Sequence, residues 1–149
     1  MNLDLSTAPE IAQLAGEGAP LEPFGCKEGS NRVTAGSLAA LVRETAADPA
    51  RWWSRVRFDP ERPVRTRLAA APGFQLWLVT TPPGHRSRQY RQNGGCEVVT
   101  VLVGELAEHT DGGEMRPLRP NRVRVRGNGN RRETVNPGGC YAVSLHAWS

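Results

Sequence analysis

The segment GHRSRQYRQNGGCEVVTVLVG, residues 84–104, lies between two glycines and spaces three polar side chains as Tyr90-x-Gln92-x4-Glu97. Residues two apart on an extended backbone share a face, so Tyr90 and Gln92 point the same way. Glu97, an odd five residues past Gln92, turns inward with them only across a break such as Gly94-Gly95, and Cys96 then faces the opposite side. A second fragment, RETVN, sets Arg132 four residues before Asn136. The two fragments place a phenol, a carboxamide, a carboxylate and a guanidinium where strands can bring them together.

Outward from this segment the pattern is short extended runs separated by glycine and proline, at 64–69, 74–81, 97–103, 105–110, 122–126 and 140–148. Arg122-Val-Arg-Val-Arg126 alternates strictly, which predicts a strand with valines on a buried face and arginines on a wet one. Upstream, Thr34 is an N-cap candidate ahead of Leu38, Leu41 and Val42 at helical spacing, and Pro49 marks the end of that helix. A further helical turn carries Trp52 and Trp53 before Asp59, Pro60 and Pro63 break the chain. Residues 1–33 hold prolines and glycines without sustained periodicity and read as a loose arm, with one short helix near Pro9 to Ala15. The organisation expected is therefore the arm at 1–33 and one mainly β domain at 34–149, a small jelly-roll barrel with an N-terminal helical cap. Closing short strands into a barrel removes their exposed edges and leaves an interior for side chains or one small ligand.

Composition narrows the function classes. The 149 residues suit one domain with a real core. Nothing approaches the roughly 18 apolar residues of a membrane span, and no basic, apolar leader is present, so a cytoplasmic protein is expected. Cys26, Cys96 and Cys140 show neither disulfide nor zinc spacing. The net charge of +4 is carried by arginine, Lys27 being the sole lysine. Arg86, Arg88 and Arg91 cluster at the first fragment, and Arg122, Arg124, Arg126, Arg131 and Arg132 at the second, which predicts a positive mouth that attracts anions. The aromatic platform of single-strand nucleic-acid binders is missing between them, so nucleic acid is disfavoured as a partner.

From about Leu38 to the C-terminus the chain resembles the cysteine dioxygenase family of the cupin superfamily. The resemblance is carried by LAALVRETAADPARWW, RFDPERPVRTRL, FQLWLVTTPPG, VLVGELAEHT and YAVSLHAWS, in the family's order. It implies a cupin-type barrel. It also implies a thiol dioxygenase using ferrous iron held by three histidines, whose positions here are Tyr90, Gln92 and Arg132. Further implied are a carboxylate-binding arginine, placed at Arg67, and a pocket lined by Ser144, His146 and Trp148, the last standing where the family has tyrosine. Members with a cysteine at position 97 crosslink it to that tyrosine; Glu97 and Trp148 cannot. The superfamily frequently pairs, which makes a homodimer one oligomeric expectation.

The chemistry of the replacements argues against iron. Glutamine is a weak neutral ligand, tyrosine binds well only as phenolate, and a guanidinium is no ligand at all. The expectation is therefore a member that has lost the iron site, with no cofactor, an Arg132–Glu97 ion pair in the vacated centre, and a pocket for a small carboxylate-bearing ligand lined by Arg67, Tyr90, Gln92, Ser144 and His146. The rival readings are a thiol dioxygenase with an unconventional metal set, a metal-free enzyme with His146 as general base, and a structural partner protein. His85 and His109 read as solvated surface histidines.

Overall fold

In a computed structural model the protein is described over residues 33–89, 95–110, 113–127 and 132–149. The arm expected at 1–33 and its short helix fall outside these residues except for Val33, which is buried. Tyr90, Gln92, Arg91 and Arg131 also lie outside them.

Helix α1 runs Ala35–Ala46 and is closed at its start by a reciprocal capping box. The Thr34 Oγ1 accepts from the Ser37 backbone N–H at 3.1 Å, and Ser37 Oγ accepts from the Thr34 N–H at 3.1 Å. Such a cap contributes about 1 kcal/mol. Leu38, Leu41 and Val42 form its buried stripe. Two short 3-10 turns follow, Pro49–Arg51 and Trp53–Arg55. Trp52 between them is buried while Trp53 is 63% exposed.

The strands among the described residues are β1 Val64–Ala71, β2 Phe74–Thr81, β3 Arg86–Gln89, β4 Glu97–Val103, β5 Leu106–Thr110, β6 Met115–Leu118, β7 Arg124–Arg126, β8 Arg132–Val135 and β9 Ala142–Trp148. They form a five-stranded sheet in the order β1-β2-β9-β4-β7 and a four-stranded sheet in the order β3-β8-β5-β6. The two sheets face each other, but among the described residues no ladder joins them into a closed barrel. Three strands escape the sequence pattern. β3 and β8 read Arg-Ser-Arg-Gln and Arg-Glu-Thr-Val, without apolar alternation, and are held by the ladder between them. β6 contains Pro117, which is tolerated because β6 is an edge strand.

Gly84 and Gly104, which bound the opening segment, both adopt left-handed φ, +74° and +80°. At Gly104 a Cβ would stand 2.5 Å from the Tyr141 carbonyl oxygen, so the β4–β5 turn requires glycine there. Asn136 fastens the Gly84 turn. Its Nδ2 donates to the carbonyls of Thr81 at 3.0 Å and Cys140 at 2.9 Å, its Oδ1 accepts from Gly138 N–H at 3.0 Å, and its own carbonyl accepts from Gly84 N–H at 2.9 Å.

The large sheet has two unlike faces. Leu76, Leu78, Val98, Leu145 and Ala147 point outward and form one apolar cluster with Leu38, Leu41 and Val42 of α1. The main hydrophobic core therefore lies between helix and sheet. The face turned to the smaller sheet carries Ser144, His146, Glu97 and Arg126 instead, with a minor apolar cluster of Val101, Leu106, Leu118 and Ala142. The space between the sheets is polar, and there the candidate site lies.

Candidate functional site

Strand pairing fixes which side chains meet. One register row across the large sheet is Arg65, Val79, Ser144 and Val101; the next is Arg67, Trp77, His146 and Val99; the third is Gln75, Trp148, Glu97 and Arg126. Period-two alternation puts all of these on the inner face. Ser144 and His146 are neighbours along β9, and Glu97 is diagonal to His146 across the β4–β9 ladder.

These placements build a continuous chain of polar contacts. Ser144 Oγ lies 2.9 Å from His146 Nε2, and His146 Nδ1 lies 2.9 Å from Glu97 Oε1. A carboxylate has no proton to give, so His146 donates from Nδ1 to Glu97. Ser144 Oγ and His146 Nε2 share the second bond, whose donor follows the state of the imidazole, and at 2.9 Å it is a better bond than the 3.5 Å approach of the hydroxyl to the Val79 carbonyl. Arg126 bridges two carboxylates, with Nη1 3.3 Å from Glu97 Oε2 and Nη2 3.3 Å from Glu108 Oε2. Arg132 Nε stands 3.2 Å from Glu108 Oε1, within ion-pair range though not aligned as a hydrogen bond.

The charges answer to these neighbours. Burial pushes the Glu97 carboxyl up, but the His146 hydrogen bond and charge, together with Arg126, outweigh it and hold the pKa at about 2, below the ordinary 4.5. Burial lowers the pKa of the Arg132 guanidinium, assisted by repulsion from Arg126 and Arg124 and opposed by Glu108 and Glu97. Within this cluster Arg126 is the most deeply enclosed charge, 2% exposed.

The pairing expected for Glu97 needs correcting. The partner of Glu97 is Arg126, from β7, and Arg132 pairs with Glu108 instead. The arginine face of Arg122–Arg126 is wet only in part, Arg122 being exposed, Arg124 half-buried and Arg126 buried. Its valines pack at the margin of the helix-side core, and Arg126 turns into the space between the sheets. Alternation put the valines on the core side; it did not say that the last arginine would be enclosed, because that takes a polar interior with two buried carboxylates to receive it. Glu108, on β5, was missed altogether. Its signal was its parity with Leu106 on a short strand, readable only once that face is known to be internal.

A small cavity of about 30 Å³ opens beside this network, lined by Pro63, Arg65, Val79, Ser87, Thr134, Ser144, His146 and Trp148 among others. Arg67, the expected carboxylate binder, is exposed and does not line it; Arg65, two residues earlier on the same face, does. A bulge between Arg67 and Ala69 follows, which lets both Leu68 and Ala69 be buried. Arg65 makes no ion pair among the described residues. Among the described residues Thr134 Oγ1 is buried without a hydrogen-bond partner. Trp148 stacks on Trp77 with ring centroids 5.9 Å apart and 10° between planes, and closes one side.

The strand order of the two facing sheets, together with similarity to solved structures, places the fold in the cupin, or double-stranded β-helix, class. The fold is similar to that of the protein TT1209 from Thermus thermophilus, at 20% identity over 65% of this chain and 92% of that one, TM-score 0.58. It is similar as well to a double-stranded β-helix domain protein from Klebsiella pneumoniae, at 18% identity over 64% of this chain and 84% of that one, TM-score 0.58. The Schizosaccharomyces pombe Cnp3 cupin domain matches at 14% identity over 65% of this chain and 70% of that one, TM-score 0.56. Within the class, the chain belongs to the cysteine dioxygenase type I family, whose model matches residues 29–147. No curated relative matches its sequence. Among the described residues no helix is long and apolar enough to cross a membrane.

Proposed function

We propose that this protein is a metal-free, cytoplasmic member of the cysteine dioxygenase type I family that binds a small carboxylate-bearing ligand and does not oxidise thiols. The observation that carries the reading is the ion-paired chain Glu97–Arg126–Glu108–Arg132 in the interior of the fold. The family resemblance requires three neutral imidazoles at positions 90, 92 and 132, and position 132 holds a guanidinium whose countercharge is Glu108. Two fixed cations already balance the two interior carboxylates, Glu97 and Glu108, so the donor set does not fit ferrous iron. The ligand half of the reading rests on the cavity. Arg65 and the Thr134 hydroxyl, neither of which has a partner among the described residues, are complementary to a carboxylate, with Ser87 beside them. About 30 Å³ admits a carboxylate head and not a whole amino acid, so the rest of the ligand lies toward the exposed Arg65 rim.

The test is anaerobic reconstitution with ferrous iron, followed by elemental analysis and oxygen uptake with cysteine. Substoichiometric iron and no uptake are expected; stoichiometric iron with cysteine-dependent uptake overturns the proposal. A variant with Tyr90, Gln92 and Arg132 all changed to histidine serves as the positive control for iron binding. The hydrogen-bonded Ser144–His146–Glu97 series favours a second reading, a metal-free enzyme in which His146 accepts a proton from a bound substrate.

A further inference from the structure

A second cavity, of about 240 Å³, lies at the open side of the sandwich between β4, β6 and the start of β7, lined by Val99, Thr100, Pro117, Leu118, Val123 and the three arginines Arg119, Arg122 and Arg124. It shares no lining residue with the cavity beside His146. Among the described residues, no carboxylate pairs with any of its arginines. Each interior carboxylate nearby is already engaged, Glu97 by Arg126 and Glu108 by Arg126 and Arg132. Among the described residues the positive charge at this opening therefore has no carboxylate partner, and Arg124 is close enough to Arg132 to lower its pKa.

The arginines are also held in place by their backbone. Arg119-Pro-Asn-Arg122 is a tight turn in which Arg122 N–H donates to the Arg119 carbonyl at 3.3 Å. Proline at its second position and Asn121 at φ 60° at its third match a type II turn, which sets Arg119 and Arg122 side by side. The turn is tied to β4 twice, by Asn121 N–H donating to the Val101 carbonyl at 3.3 Å and by Thr100 Oγ1 donating to the Arg122 carbonyl at 2.9 Å. The turn thus fixes the backbone from which Arg119 and Arg122 project, and guanidiniums recognise phosphate and carboxylate oxygens in a two-pronged fashion.

We propose that this cleft is a binding site for a compact phosphorylated small molecule carrying at least two negative charges, separate from the site beside His146. Its volume falls below the roughly 300–1,000 Å³ of drug-sized sites, which suits a diphosphate or a sugar phosphate. Leu118 and Pro117 supply an apolar wall for the uncharged part of such a ligand.

The experiment uses the full chain at low salt, titrated with inorganic pyrophosphate by calorimetry and by thermal unfolding. Saturable binding that raises the midpoint and weakens with added salt is expected. Arg122→Gln with Arg124→Gln should weaken it about a hundredfold, and Arg119→Gln, at an exposed position, about tenfold. Arg62→Gln, at a surface arginine outside the cleft, should leave it unchanged. Absence of saturable pyrophosphate binding by the wild type overturns the proposal, as does equal weakening by Arg62→Gln and Arg119→Gln. Should the double variant fail to fold, Arg119→Gln against Arg62→Gln still decides the matter.

Discussion

Replacing Arg126 by methionine keeps much of its length and volume while deleting its charge. The side chain is 2% exposed and stands 3.3 Å from both Glu97 and Glu108. At that separation and an effective dielectric near 20, each contact amounts to about 5 kcal/mol of gross attraction. Most of that offsets the cost of keeping the ions from water, so the gross figure is not the expected loss. The loss arises because two buried carboxylates remain, one left with His146 and the other with a poorly aligned Arg132. Breaking a buried pair in this way costs about 3–5 kcal/mol, a large share of the roughly 5–15 kcal/mol that holds a domain folded. Urea unfolding followed by tryptophan fluorescence measures it. Adding Glu108→Gln to Arg126→Met should be less harmful than the sum of the two single changes, with a coupling of about 1 kcal/mol or more. A single-variant loss below about 1 kcal/mol, or strict additivity, would refute the view that Arg126 neutralises the space between the sheets.

Acid should act through Glu97. Its folded pKa of about 2 lies below the ordinary 4.5, so its ionised form contributes stability that is fully present above 4.5 and lost as the pH falls toward 2. The difference corresponds to about 3 kcal/mol, and Glu97→Gln should flatten the stability curve in that window; an unchanged slope would count against the His146 and Arg126 contacts. Asn136→Leu removes three side-chain hydrogen bonds at a fully buried position and strands the Thr81 carbonyl. A loss of about 2–4 kcal/mol is expected by the same unfolding measurement, and a neutral result would mean that the Gly84 turn holds without its clamp.

The helix, the β2, β4 and β9 strands and the two turn glycines were legible from local pattern, since an apolar stripe, a run of β-branched residues and a positive φ each leave a mark in adjacent residues. β3 and β8 left none. Arg-Ser-Arg-Gln and Arg-Glu-Thr-Val become strands because their partners supply backbone hydrogen bonds, and such partners are remote in sequence. Arg67 and Arg65 illustrate the same limit, for both occupy one face and only the position of β3 and β8 beneath them decides which reaches the cavity.

The order of residues by itself determined the family, the helix-capped β architecture and the absence of histidine from positions 90, 92 and 132, because these depend on spacing and side-chain type alone. The tertiary structure decided which charges neutralise one another. Glu97 and Arg126 are 29 residues apart, Glu108 and Arg126 are 18 apart, and their pairing follows from two sheets folding face to face. Coulomb attraction in a space shielded from water depends on ångström distances, and those exist only after the chain has closed on itself.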